Sequence, residues 1–79
     1  LCDEGQALET ALGLAAEITE NAPLAVAESR RIMIEATDQP DEVGWKLSGE
    51  GIIKMFGTED FSEGLTAFAE KRKPNWKGR

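Results

Sequence analysis

Phe56-Gly57-Thr58-Glu59-Asp60-Phe61-Ser62-Glu63-Gly64-Leu65-Thr66-Ala67-Phe68-Ala69-Glu70-Lys71-Arg72-Lys73-Pro74 is the stretch that decides the fold. It reads as one complete amphipathic helix with its punctuation. Gly57 stops whatever precedes it, and Thr58 is a good N-cap, because a threonine hydroxyl satisfies a free N–H of the first turn. Glu59 and Asp60 follow, where the helix dipole favours negative charge. Phe61, Gly64, Leu65, Phe68 and Ala69 recur at helical spacing and predict a core-facing stripe. Lys71, Arg72 and Lys73 complement the C-terminal end of the dipole, and Pro74 predicts the stop.

Working upstream, the same grammar repeats three times. Asp38-Gln39-Pro40-Asp41-Glu42 offers a polar cap candidate, an early proline and first-turn acids, predicting a helix to about Phe56. Its stripe is Trp45, Ser48, Gly49, Ile52, Met55 and Phe56. Gly44, Gly49 and Gly51 lie inside it, each costing about 1 kcal/mol relative to alanine. They imply either a close neighbouring backbone or a break near Gly49-Glu50-Gly51. Pro23 suits the first turn of an earlier helix running to about Thr37. That helix has a main stripe, Ala25, Val26, Ser29, Ile32, Met33 and Ala36, and a second apolar set, Leu24, Ala27 and Ile34. Two apolar faces predict cover on both sides. Residues 4–20 predict the first helix, with Leu8, Ala11, Leu12, Ala15, Ile18 and Thr19 in line, ended at Asn21-Ala22-Pro23. No strand pattern, internal repeat or low-complexity run interrupts this. The expected fold class is all-α, with about four short helices and short connections.

Composition narrows the functions. Seventy-nine residues make one small unit, which buries a modest fraction of its surface. With no histidine and a single cysteine, Cys2, there is no disulfide framework, no ligand set for zinc and no imidazole-assisted nucleophile. No apolar run approaches the roughly 20 residues that span a bilayer, so no membrane partner is expected. The free cysteine and the lack of a targeting segment point to a cytoplasmic setting. The net charge is −6, unevenly spread. Residues 1–70 hold every acid and only Arg30, Arg31, Lys46 and Lys54 as bases, while residues 71–79 hold Lys71, Arg72, Lys73, Lys77 and Arg79. An acidic body with a basic tail argues against nucleic acid and leaves room for one local anion site. Asp38, Asp41 and Glu42 lack the loop pattern of a calcium hand, so no metal is expected.

Two blocks carry a family resemblance. Ala7-Leu8-Glu9-Thr10-Ala11-Leu12-Gly13-Leu14-Ala15-Ala16-Glu17-Ile18, followed by Asn21-Ala22-Pro23-Leu24-Ala25-Val26, resembles the helix–Ala-Pro–helix stretch near the end of enoyl-CoA hydratases. The Phe56–Pro74 block resembles the same family in the order of its aromatic, acidic, Glu-Gly, Ala-Phe and Glu-Lys-Arg elements. The resemblance covers essentially the whole chain. It implies the C-terminal helical region of a crotonase-type enzyme acting on acyl-CoA thioesters, most simply in the hydration of a 2-enoyl-CoA in fatty-acid degradation. In that family an N-terminal α/β core supplies the oxyanion-binding N–H groups and the glutamates that move protons. None of these can be assigned to residues 1–79, so no catalytic residue is expected here and the segment alone is expected to be inactive. The implied partners are that core, the acyl-CoA substrate and further copies in a trimer-based homo-oligomer. Coenzyme A enters as part of the substrate, and no separate cofactor is implied.

The resemblance points to Lys71 for the phosphate or adenine end of coenzyme A, with Arg72 and Lys73 as near substitutes, and to Phe56 as an apolar surface near the adenine. The plainer alternatives are a helix-end charge for Lys71 and core packing for Phe56. Trp76 anchors the tail against the body or stacks on a partner. Glu63 and Glu70 are possible proton-transfer groups or simply a solvated face. A stand-alone helical interaction or oligomerisation module, and a bundle that binds acyl chains or coenzyme A, are the competing functions.

Overall fold

The computed structural model describes residues 1–79 and contains four helices: α1 (Ala7–Thr19), α2 (Pro23–Ala36), α3 (Asp41–Phe56) and α4 (Glu59–Glu70). There are no strands. Pro23 occupies the first turn of α2 as expected, and the Asn21 side-chain amide donates to the carbonyls of Glu17 and Ile18, closing the end of α1. α1 begins at Ala7, later than residue 4, because Gly5 adopts φ 77° and breaks the approach. The start of α3 also differs from expectation. Asp38 sits at φ 61°, two residues before the N-cap, which is Pro40, and no side chain caps the helix. Thr37 instead turns its hydroxyl back to the Met33 carbonyl at 2.7 Å.

α3 runs unbroken through its glycines. Gly51 is buried against α2, and a methyl placed there would lie 2.8 Å from Ile32 Cδ1 and 3.3 Å from Glu28 Cγ. The missing side chain therefore lets two helices approach, which offsets the propensity cost of glycine. Beside this contact Glu28 bridges the helices. It takes a two-pronged bond from Arg31 of α2 and a 3.5 Å contact from Lys54 of α3. The Arg31 bond holds the Glu28 carboxyl below its ordinary range, outweighing burial, which pushes the other way.

The assembled helices form a slab, 43 × 40 × 18 Å, with a Cα radius of gyration of 15.8 Å. A closed chain of this length would measure about 12 Å. Only three residues are buried: Gly51, Asp60 and Ala67. The stripes expected to make a core are largely open. Leu8, Leu12 and Ile18 of α1, Trp45 and Ile52 of α3, and Leu65 and Phe68 of α4 are exposed. The physical reason is geometric: α2 packs mainly on α3, while α1 touches α2 and α4 touches α3 only lightly, so neither closes over the stripes. The second apolar face of α2 is open too, at Ile34. No helix is long and apolar enough to cross a membrane.

Gly51→Val should destabilise the intact protein by about 2 kcal/mol, since overpacking of a closed helix contact costs roughly 1–3 kcal/mol. Denaturant unfolding followed by circular dichroism measures it. An unchanged midpoint would mean that α2 and α3 do not meet at this glycine.

Candidate functional site

The basic end of the chain is organised by α4 and by the tail that folds back on it. Thr58 caps as expected, accepting from the Phe61 N–H at 3.1 Å. The other end does not follow the sequence reading. α4 stops at Glu70, and Lys71 adopts a left-handed conformation, φ 57° and ψ 42°. The Arg72 N–H reaches back to the Ala67 carbonyl at 3.0 Å and the Lys71 N–H to the Phe68 carbonyl at 3.2 Å. This paired pattern reverses the chain and satisfies two helix-end carbonyls. Glycine normally occupies the reversal; a lysine there costs about 1 kcal/mol. The helix thus ends by reversal at Lys71 rather than at Pro74, and the basic run is no last-turn complement to the dipole.

After the reversal the tail runs back along α4. The Glu63 carboxylate accepts from both terminal nitrogens of Arg72, at 2.7 and 2.9 Å, and from the Asn75 N–H at 2.6 Å. Three residues earlier on the same face, Asp60 accepts from the N–H groups of Lys77 and Gly78, both at 2.8 Å. Its own N–H donates to the Arg79 carbonyl at 2.8 Å. Asp60 is only 3% exposed, so this ring of partners replaces the water that a buried carboxylate loses. Arg79 closes the end by pairing with Glu59 at 2.7 Å. Trp76 lies against Gly64, where a methyl would sit 3.3 Å from Cη2, and its indole N–H donates to the Glu20 carbonyl at 2.8 Å. Of the two roles open to Trp76 in the sequence, the structure has it anchoring the tail, and it ties the end of α1 to α4. An apolar hollow of about 240 Å³ lies under the indole, lined by Leu24, Ala25, Met55, Phe61 and Leu65 among others.

Several candidates change standing. Glu63 is neither a free proton carrier nor a plain solvated face. Its bonds from Arg72, then from the Asn75 N–H, lower its pKa to about 2, so it stays a carboxylate through the neutral range. Glu70 pairs with Arg72 at 2.6 Å. Arg72, committed to these two carboxylates, is not a free substitute for Lys71. Lys71 is exposed and takes part in no ion pair, as is Lys73. Phe56 is 57% exposed and meets Phe61 edge to face, with centroids 4.9 Å apart. It stands at the opposite end of α4 from Lys71, roughly 18 Å away along a 12-residue helix. The aromatic that accompanies Lys71 is Phe68, three residues earlier and 87% exposed. Sequence periodicity had assigned Phe68 to the core. The available signal was its place three residues before the basic run. No cluster of acids, histidine or cysteine suited to a metal is present.

This helical arrangement belongs to a known group of enzymes. The chain belongs to the enoyl-CoA hydratase/isomerase family, which it matches over residues 1–79. It is 42% identical over 76 residues to the carnitinyl-CoA dehydratase of Proteus mirabilis, covering 91% of this chain and 29% of that one. It is 43% identical over 76 residues to an enoyl-CoA hydratase of Mycobacterium tuberculosis, covering 96% of this chain and 29% of that one. A crystal structure of a probable enoyl-CoA hydratase/isomerase from Mycobacterium abscessus superposes with a TM-score of 0.86 at 52% identity, covering 100% of this chain and 31% of that one. The chain thus spans less than a third of the length of the relatives it matches, and its fold is a helical segment of theirs.

The sign of the Glu63 shift fixes a pH dependence. A lowered folded-state pKa adds stability that is complete above the ordinary value near 4.5 and is lost as pH falls toward about 2. In a Trp45→Phe background, Trp76 fluorescence should hold steady down to about pH 4.5 and change below it as the tail lifts. Glu63→Gln should remove that acid transition. An identical acid transition in the Glu63→Gln variant would show that this carboxylate does not hold the tail.

Proposed function

We propose that these residues form the C-terminal helical segment of an enoyl-CoA hydratase/isomerase-type enzyme, and that the intact protein acts on acyl-CoA thioesters. The observation that carries this reading is the match of the whole chain to that family, with relatives named for enoyl-CoA and carnitinyl-CoA reactions. Hydration of a 2-enoyl-CoA, in a cytoplasmic enzyme without a separate cofactor, is the simplest member of that class. The reaction itself is assigned to groups outside residues 1–79. Within the segment there is no histidine, its one cysteine is exposed at Cys2, and the carboxylates of α4 are spent on the tail. By itself the segment is therefore proposed to be inactive.

Two roles remain for it. The open apolar faces, Leu8, Leu12 and Ile18 on α1 and Trp45 and Ile52 on α3, suit burial against an N-terminal core and against neighbouring subunits of a trimer-based homo-oligomer. An oligomerisation module with no catalytic parent fits these faces as well, but not the family match. The second role is the edge of the coenzyme A site. A purine nucleotide with phosphates needs an apolar plate and a cation. Phe68 and Lys71 offer both, exposed and three residues apart, and the Lys71 ammonium has no carboxylate competing for it. A lysine suits phosphate as a compact charge. Phe56, at the far end of α4, is proposed to contribute apolar contact elsewhere along the same extended ligand.

Lys71→Ala in the intact enzyme should raise the KM for the acyl-CoA roughly fivefold at low salt and leave kcat nearly unchanged, because phosphate contact is shared by ground and transition states. The effect should shrink as ionic strength rises and be absent for a pantetheine thioester, which lacks the nucleotide. An unchanged KM at low salt would reduce Lys71 to a surface charge. Equal weakening of both substrates would trace the loss to folding or assembly.

A further inference from the structure

Lys71 reaches its position through a backbone conformation that lysine does not favour. It is the only non-glycine residue besides Asp38 with a positive φ. Something outside the residue must hold it there. The chain after the bend is pinned to α4 at two levels, one helical turn apart. The level next to the bend is Glu63 with Arg72 and the Asn75 N–H. The farther level is Asp60 with the Lys77 and Gly78 N–H groups. Arg72 directly follows Lys71, so its guanidinium fork fixes the direction in which the chain leaves the reversal. The geometry is two-pronged and planar, which holds an angle as well as a distance. The pair is also only partly covered, with side-chain exposures of 40% for Arg72 and 21% for Glu63. An ion pair so placed adds little to global stability. Its consequence is local, and what lies next to it is Lys71.

We infer that Glu63 and Arg72 are a positioning pair: their two-pronged contact holds the reversal at Lys71 and so aims the Lys71 ammonium at the phosphate end of a bound acyl-CoA. This rests on the acyl-CoA reading above. Neither residue touches the ligand. Glu63 would repel a phosphate if it faced one, and Arg72 spends its fork on carboxylates. The pair sets specificity for the nucleotide part of the substrate and is silent toward the thioester end.

The experiment is a mutant cycle in the intact enzyme at low ionic strength, with KM and kcat measured for an acyl-CoA and for the matching pantetheine thioester. Glu63→Gln removes the charge of the acceptor. Arg72→Lys keeps the local positive charge and removes only the fork. Each should raise the KM for the acyl-CoA roughly fivefold, hold kcat, and leave the pantetheine thioester unaffected. Neither should add to the effect of Lys71→Ala in the double variant. If Glu63→Gln fails to fold, Arg72→Lys decides. Losses that add to that of Lys71→Ala, or that fall equally on both substrates, would overturn the inference, as would wild-type KM values in both variants while Lys71→Ala raises its own. A silent Lys71→Ala would instead overturn the acyl-CoA reading of this corner, and the positioning role with it.

Discussion

Asp60 holds the C-terminal end of this structure together. A carboxylate at 3% exposure must replace its lost water, and it does so with the Lys77 and Gly78 N–H groups, while its own N–H reaches the Arg79 carbonyl. Because every partner is main chain, the arrangement anchors residues 77–79 whatever their side chains are. Once the tail is fixed, Trp76 falls against Gly64 and reaches the Glu20 carbonyl, joining the end of α1 to α4. Between this anchor and α4 lies the reversal at Lys71, beside which Glu63 takes Arg72 and the Asn75 N–H.

A second constraint is the shortage of interior. The α2–α3 contact is tight, closed by Gly51 and by Glu28 with Arg31 and Lys54. Elsewhere the helices spread into a slab whose apolar residues stay open. Such a surface is costly to leave in water, and under the proposed function it is one layer of something larger. The chain covers 29–31% of the length of the relatives described above, which agrees with that view. The proposed function divides along the same line: the reacting groups are proposed to lie outside the segment, and the segment is proposed to contribute faces for assembly and one charged corner for the ligand.

The helices were legible in the sequence because their signals are local. Pro23 at the start of α2, Thr58 capping α4 and the 3.6-residue stripes all act within a turn or two. The order of residues from Phe56 to Pro74 pointed to the family for a related reason, since a capped amphipathic helix with an unusual polar sequence leaves few alternatives. What escaped was non-local or contrary to habit. Asp60 looked like any first-turn acid, and its partners lie 17 and 18 residues away. The reversal at Lys71 lacked the glycine that usually marks it. Phe68 kept perfect helical spacing with Leu65 and Phe61, and periodicity says which residues share a face without saying what covers that face. Lys71 was singled out by the family resemblance and its role stays a proposal, while the reason it stands free and Arg72 does not required the ion pairs to be seen.

The central claim is that the corner made by Phe68 and Lys71 receives the nucleotide end of an acyl-CoA. A crystal structure of the intact protein with a non-reactive acyl-CoA analogue tests it most directly. The account predicts the Lys71 ammonium within hydrogen-bond distance of a phosphate oxygen, the Phe68 ring against the adenine, and the left-handed turn at Lys71 kept with Glu63 still on Arg72. A well-ordered analogue whose phosphates lie away from α4, with Lys71 facing only solvent, would contradict it.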